Sequence, residues 1–289
     1  MYAMPHIVLC VDWDETITTE DTLSILAPNS QEVKQGPNFY HYQAEYVRDH
    51  ERFVLNFGDI KTKEDLLRYV KDVKVSESET ISKVVQGGLF AGTYHTQRLE
   101  RLNQVKFRHG WARMAEYISQ GAQSGELVSY VVSVNWSKKF IAEGLRRECD
   151  TVEIPGLYKP GFSDIFANEL EEDAETGTCT GRIVGPYQTE PLLTGYDKLS
   201  ICEKVAAKNP DSIQVYVGDS LTDWPCLLWA DMGILIGSGD QVRGMLHQAG
   251  MDSVLHTIDS WKQLDVMQQR ASIVCASDWY AVCDLLQLQ

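Results

Sequence analysis

Short runs of consecutive apolar residues punctuate the chain, and each stops abruptly at acidic or small polar residues. His6 to Val11 (HIVLCV) is compact, rich in β-branched side chains and ends in DWDET. An unbroken apolar run, without polar alternation, is the pattern of a strand buried on both faces of a parallel sheet. Leu127 to Val132 (LVSYVV) repeats it and runs into Ser133, and Ile213 to Val217 (IQVYV) runs into Gly218 and Asp219. Gly233 to Ile236 (GILI) predicts a fourth strand. Helical spacing over Trp136 to Arg147 and Lys198 to Ala207 completes a β-α alternation, so the chain is expected to be α/β, a three-layer Rossmann-like core around a parallel sheet. Ligands of such sheets bind beyond the carboxyl ends of the strands. Those ends are where the polar residues cluster.

From Thr18 to Lys106 the alternation breaks. This stretch carries helix-start signals, Thr62-Lys-Glu-Asp65 ahead of LLRYV and the capping-box spacing Ser76 to Glu79, and no convincing strand. It predicts a helical insertion over 18–106, leaving 1–17 and 107–289 for the α/β core. Arg108 to Gln120 reads as the helix that returns to the sheet. Ile165 to Val184, with strand-like ends around EEDAETGT, predicts a short antiparallel hairpin. The last fifty residues, with Trp261 and a helical Trp279 to Leu286, are expected to complete the core.

Composition narrows the function classes. With 289 residues and 44% apolar content, the chain can bury a substantial core and still carry an inserted unit. A formal net charge of −15 argues against nucleic acid or an anionic membrane as a partner, since both demand clustered Lys and Arg. Seven cysteines show no CxxC pair or zinc spacing, a pattern that suits a reduced, cytoplasmic protein. The start, MYAMPHIVLCV, reads as a strand without a basic leader, and no run approaches the ~18 apolar residues of a membrane span.

Asp12 and Asp14 stand one residue apart where the first strand ends, so both carboxylates can turn toward one ligand. One carboxylate can attack phosphorus and form an aspartyl-phosphate while its neighbour protonates the leaving oxygen. Phosphate monoesters are extremely slow to hydrolyse, so charge neutralisation has to accompany positioning. In GDSLTD, Asp219 and Asp223 offer the hard oxygens that suit Mg2+, Ser133 offers a hydroxyl to a phosphoryl oxygen, and Lys198 supplies a fixed positive charge.

These residues together resemble the four motifs of the haloacid dehalogenase superfamily, in order across the whole chain. VDWDET is similar to the first, which implies Asp12 as nucleophile and Asp14 as general acid and base, with its backbone carbonyl reaching the metal. VVSVN is similar to the second through Ser133, GYDKL to the third through Lys198, and GDSLTD to the fourth. The implied Mg2+ set is Asp12, Asp14, Asp219 and Asp223, the last acting more often through water or the lysine. The insertion then corresponds to a helical C1-type cap that closes over small substrates. DETITTEDT, KFRHGW and FANELEEDAETGTCTGRI resemble the phosphoserine-phosphatase-like branch, with Asp21 and Thr22 at the cap entrance. Trp13 and Glu15 replace the common Phe and Gly, and Val134-Asn135 replaces the glycines after the serine, so phosphoserine is not implied as the substrate.

The resemblance implies a Mg2+-dependent phosphatase acting on a small phosphorylated metabolite. Phosphoryl transfer to another acceptor, or a silent module that only binds a phospholigand, would use the same constellation. Single residues keep plainer readings. Ser133 can cap a helix, Lys198 can be a surface lysine of a first turn, Asn135 can orient phosphate or stabilise its turn, and Trp13 can wall the site or pack. Asp21 is a substrate-binding candidate. Phe39, Tyr40, His41, Tyr42 and Tyr46 are expected mainly to form the core of the insertion, with one or two facing a ligand.

Overall fold

The computed structural model describes residues 7–149 and 154–287. His6, read above as the start of a strand, lies outside the described residues. β1 (Ile7–Val11), β2 (Leu127–Val132), β3 (Asp164–Phe166), β6 (Ile213–Gly218), β7 (Met232–Ile236), β8 (Leu255–Thr257) and β9 (Ile273–Ala276) form one seven-stranded sheet, ordered β3-β2-β1-β6-β7-β9-β8. Every pairing in it is parallel. The alternation along β1 explains its unbroken apolar run. Ile7, Leu9 and Val11 enter one hydrophobic core, while Val8 and Cys10 enter a second on the opposite face. Helices cover both faces, giving the three layers.

Register fixes the geometry of the site. Val11 lies opposite Val131 on one side and Val217 on the other, so β1, β2 and β6 end at one level. Asp12, Ser133 and Asp219 therefore emerge along one edge of the sheet although they are far apart in sequence.

Between β1 and β2 the described chain is helical, with its main helices at Phe39–Phe57, Lys63–Asp72 and Lys74–Gln86. Thr62 caps as expected, in a reciprocal box with Asp65. Ser76 does not: Val73, the single residue between two helices, keeps a helical conformation (φ −56°, ψ −21°), so no free helix start exists at Ser76, which is buried inside the helix Lys74–Gln86. The insertion leans on the α/β body in two places. Phe39, Tyr42, Val84 and Phe90 pack with Trp136, Phe140 and Leu170, and Leu66, Tyr69 and Val70 join the core that contains Leu192, Ile201 and Val205.

Three further expectations change. The hairpin is β4 (Glu169–Glu172) with β5 (Cys179–Val184), whereas Ile165 and Phe166 belong to the edge strand β3 of the main sheet. The return helix runs Trp111–Ser124, three residues later than its pattern suggested, and follows Gly110 in a left-handed conformation (φ 82°). The C-terminal region holds Trp279–Leu286 as a helix, and it also contributes β8 and β9, too short at three and four residues to show a strand pattern.

Candidate active site

β1 delivers Asp12 to the edge of the sheet almost fully buried, with Oδ2 2.9 Å from Lys198 Nζ. Its Oδ1 is buried and has no hydrogen-bond partner. Lys198 is no surface lysine: it lies in the first turn of Gly195–Ala206, opened by a Thr194–Asp197 capping box, and is wholly buried. Burial works against its charge, but Asp12 and Asp223 hold its pKa above the ordinary lysine range.

Asp223 is the strut of the site. Its Oδ1 accepts from Lys198 Nζ (2.7 Å) and Tyr216 OH (2.6 Å), and its Oδ2 from the backbone N–H groups of Asp219 and Ser220 and the Ser220 hydroxyl, each at 3.1 Å. This closeness requires Gly218, where a Cβ would stand 2.3 Å from Asp223 Cγ. Asp219 accepts from Thr16 Oγ1 at 2.9 Å.

Asp14 is held differently. Oδ1 accepts from Thr22 N (2.7 Å) and Thr22 Oγ1 (2.6 Å), and Oδ2 from Asn135 Nδ2 (2.9 Å). Asn135 Nδ2 also meets Thr22 Oγ1, and Trp13 Nε1 donates to that same hydroxyl at 3.0 Å. Trp13, fully buried against Gly144, thus packs and positions Thr22. Asn135 holds the second acid. Ser133, also buried, accepts from Asn135 N, while the helix cap downstream is Ser137. Glu15 takes a left-handed conformation (φ 54°), one that glycine adopts without strain, and is fixed by Thr18 Oγ1 on its N–H and Arg108 on its carbonyl. Asp21 folds back onto Leu23 N at the mouth of the cavity.

Among the described residues, Asp12, Asp219 and Asp223 each bring a carboxylate oxygen within 4.8 Å of the others. The Asp14 carboxylate lies outside this group. Burial raises Asp12 to about 7, with Asp223 and Asp14 adding to it against Lys198. Burial raises Asp219 to about 9, with Asp223 and Asp12 adding to it. Burial and Asp21 raise Asp14 to about 6, against the bonds from Thr22 and Asn135. Hard oxygens and an excess of carboxylates within 4.8 Å of one another fit a divalent cation such as Mg2+.

A cavity of about 440 Å3 opens over this floor. Asp12, Asp14, Ser133, Asn135 and Asp219 line it from the sheet, and Phe39, Tyr42, Tyr46 and Glu77 from the insertion. Tyr46 and Glu77 face each other there, the tyrosine OH donating to Glu77 Oε1 at 3.1 Å. Of the expected aromatic core, Phe39 and Tyr42 are buried and Tyr40 points into solvent. Sequence reasoning missed Thr16, Tyr216 and Glu77. A lone tyrosine hydroxyl within a buried strand was the available signal for Tyr216.

No family model matches the chain. It is 24% identical over 276 residues to a CTO1 family protein of Schizosaccharomyces pombe, covering 94% of this chain and 96% of that protein. It is 23% identical over 249 residues to Cold tolerance protein 1 of Saccharomyces cerevisiae, covering 75% of this chain and 74% of that one. Among solved structures it superposes on a HAD family hydrolase of Salmonella enterica serovar Typhi with TM-score 0.51 and 15% identity, over 81% of this chain but only 63% of that longer one. A phospho-aspartyl intermediate analogue of phosphoserine phosphatase matches over 99% of both chains, with TM-score 0.50 and 13% identity. Sheet order, strand-end acids and these superpositions agree: the chain has the fold of the haloacid dehalogenase superfamily, in its phosphoserine-phosphatase-like form.

Proposed function

We propose that the protein is a phosphatase that hydrolyses a phosphomonoester of a small soluble metabolite through an aspartyl-phosphate on Asp12. The observation that carries this reading is the state of Asp12, a residue that lines the cavity: one oxygen is anchored to a buried lysine and the other is buried and unpaired. An oxygen so placed is oriented to attack and has no competing donor to release.

In the first step Asp12 Oδ1 forms a bond to phosphorus as the bond to the ester oxygen breaks, and the Asp14 carboxyl gives its proton to the departing alcohol. A pKa raised to about 6 keeps part of the Asp14 population protonated near neutrality and leaves a competent base afterwards. In the second step Asp14 takes a proton from water, whose oxygen attacks phosphorus and frees Asp12 and inorganic phosphate. Lys198 holds Asp12 in place, and the Ser133 hydroxyl is available to a phosphoryl oxygen. Asp12 and Asp219, with Asp223 and the Asp14 backbone carbonyl as further donors, would hold Mg2+, which supplies charge neutralisation at the phosphoryl oxygens. The helical insertion, 18–106, would serve as the cap over the core formed by 1–17 and 107–289. The scattered cysteines suit a reducing compartment, and the proposal places the enzyme in the cytoplasm. Among the described residues no helix is long and apolar enough to cross a membrane.

The test is turnover of p-nitrophenyl phosphate with Mg2+, with EDTA, and in the Asp12→Asn variant. Stoichiometric free phosphate, its loss in EDTA and a fall of at least ~10³-fold in the variant are expected. Near-normal Mg2+-dependent turnover by the variant would falsify the assignment of the nucleophile.

A further inference from the structure

The cavity over Asp12 has an unusual charge balance. Asp12, Asp14, Glu15, Asp21, Glu77 and Asp219 line it, while among the described residues no lysine, arginine or histidine does. Lys198 lies behind Asp12, where its ammonium is held by Asp12 and Asp223. On the proposed function a phosphoryl group would have partners at the floor in Ser133, the lysine behind Asp12 and the Mg2+ that Asp12 and Asp219 would hold. The remainder of a substrate would meet carboxylates, aromatic rings, aliphatic side chains and a few neutral polar groups such as Gln43 and Thr80.

Glu77 is the most informative of these acids. It is largely shielded from water on the helix Lys74–Gln86, one oxygen accepts from Tyr46 OH, and no ion pair reaches it among the described residues. Burial drives its carboxyl up to about 7, against the Tyr46 bond, with no cation to offset it. An acid buried without a counter-ion is costly to the folded chain and persists where a ligand supplies the charge. The ring of Tyr46 stands beside it, and Phe39 and Tyr42 line the same cavity. Aromatic faces next to a carboxylate receive an organic cation well. A second metal ion is a poorer occupant: among the described residues the only convergent group of ligand atoms is Asp12, Asp219 and Asp223, and the insertion's acids do not gather into another. Asp12, whose buried Oδ1 has no partner, lines the same cavity, an independent sign that a ligand belongs there.

We infer that the substrate is the phosphomonoester of an amino alcohol, its ammonium group seated at Glu77 beside Tyr46, and that esters carrying a carboxylate or a second phosphate on the alcohol are rejected. The inference rests on the phosphatase reading and gives it a substrate class. Glu77 and Asp21 repel an anionic alcohol, and no basic side chain in the cavity compensates.

The experiment compares kcat/KM for three esters of similar size, 2-aminoethyl phosphate, propyl phosphate and 2-carboxyethyl phosphate, in wild type and in Glu77→Gln. The expected preference for the ammonium ester over the neutral one is roughly 10–100-fold, with the carboxylate ester poorest, and the preference collapses toward one in Glu77→Gln. Binding of the same esters to the Asp12→Asn variant with Mg2+, followed by calorimetry, reads the same ratio without turnover. Absence of hydrolysis alongside selective binding would therefore count against the phosphatase reading and leave the ammonium site standing. Equal binding of the ammonium and neutral esters, preference for the carboxylate ester, or a preference that survives Glu77→Gln would overturn the inference.

Discussion

The two walls of the cavity are built on opposite terms. On the sheet side, nearly every polar atom is tied to another: Asp223 accepts from five donors, Asp14 from three, and Lys198 sits between two carboxylates. On the side of the insertion, Glu77 has a single tyrosine hydroxyl and no cation. The first wall is preorganised for one kind of chemistry and tolerates little change. The second leaves a charge uncompensated and so selects whatever compensates it.

The sharpest way to break this contrast is at its most tightly bound group. Lys198→Met removes the buried cation that pairs with Asp12 and Asp223 and should cost about 3–5 kcal/mol of stability together with most of the activity. Chemical denaturation measures the first, and a loss under 1 kcal/mol would mean that the sheet wall is looser than its hydrogen bonds suggest. Gly218→Ala forces Asp223 away from its donors and should cost about 1–3 kcal/mol and lower kcat with it. Retention of full kcat would show that the strut can move freely. Asn135→Ala strips one donor from Asp14 and should reduce kcat by roughly 10–100-fold. Because that bond lowers the Asp14 pKa, its removal raises it, and the limb of the pH–kcat profile that reports Asp14 moves to higher pH; an unmoved limb would detach Asn135 from the acid.

The insertion wall predicts the opposite sign. Glu77 has a folded pKa raised to about 7 from 4.5, so the folded state binds its proton more tightly and stability falls as pH rises from about 4.5 to about 7. Glu77→Gln should therefore stabilise the ligand-free protein at pH 8, by on the order of 1 kcal/mol, and leave it nearly unchanged at pH 4. Melting temperatures at the two pH values decide this. Destabilisation at pH 8 would put Glu77 among the satisfied groups and erase the difference between the walls.

The same contrast explains what could be read from the sequence. Asp12, Ser133 and Asp219 were legible because each directly follows an apolar strand, and parallel register aligns those ends without further information. The links among them were not: that Asn135 and Thr22 grip Asp14, or that Tyr216 reaches Asp223, depends on how loops return over the sheet edge. The insertion's helices were legible from their caps and periodicity, but which face meets the cavity was not. Residues 76–79 show the difficulty. Ser76 to Glu79 has the spacing of a helix start, yet Val73 continues the helical path from one helix to the next, so the apparent cap is the third residue of the helix Lys74–Gln86, and nothing in the spacing shows that Glu77 lines the cavity. β8 and β9 escaped because three and four residues carry no period.

Thr18 and Phe107, the residues that bound the insertion, bridge each other in antiparallel fashion. Departure and return thus share one doorway, and a chain joined there would close the α/β body with little more than a turn. On the proposed function, selectivity and reactivity are then largely separable: a lineage that keeps the doorway, the strand ends and Thr22, which grips Asp14, is able to exchange most of what lies between, acquiring a new alcohol preference while the machinery that handles phosphorus stays as it was.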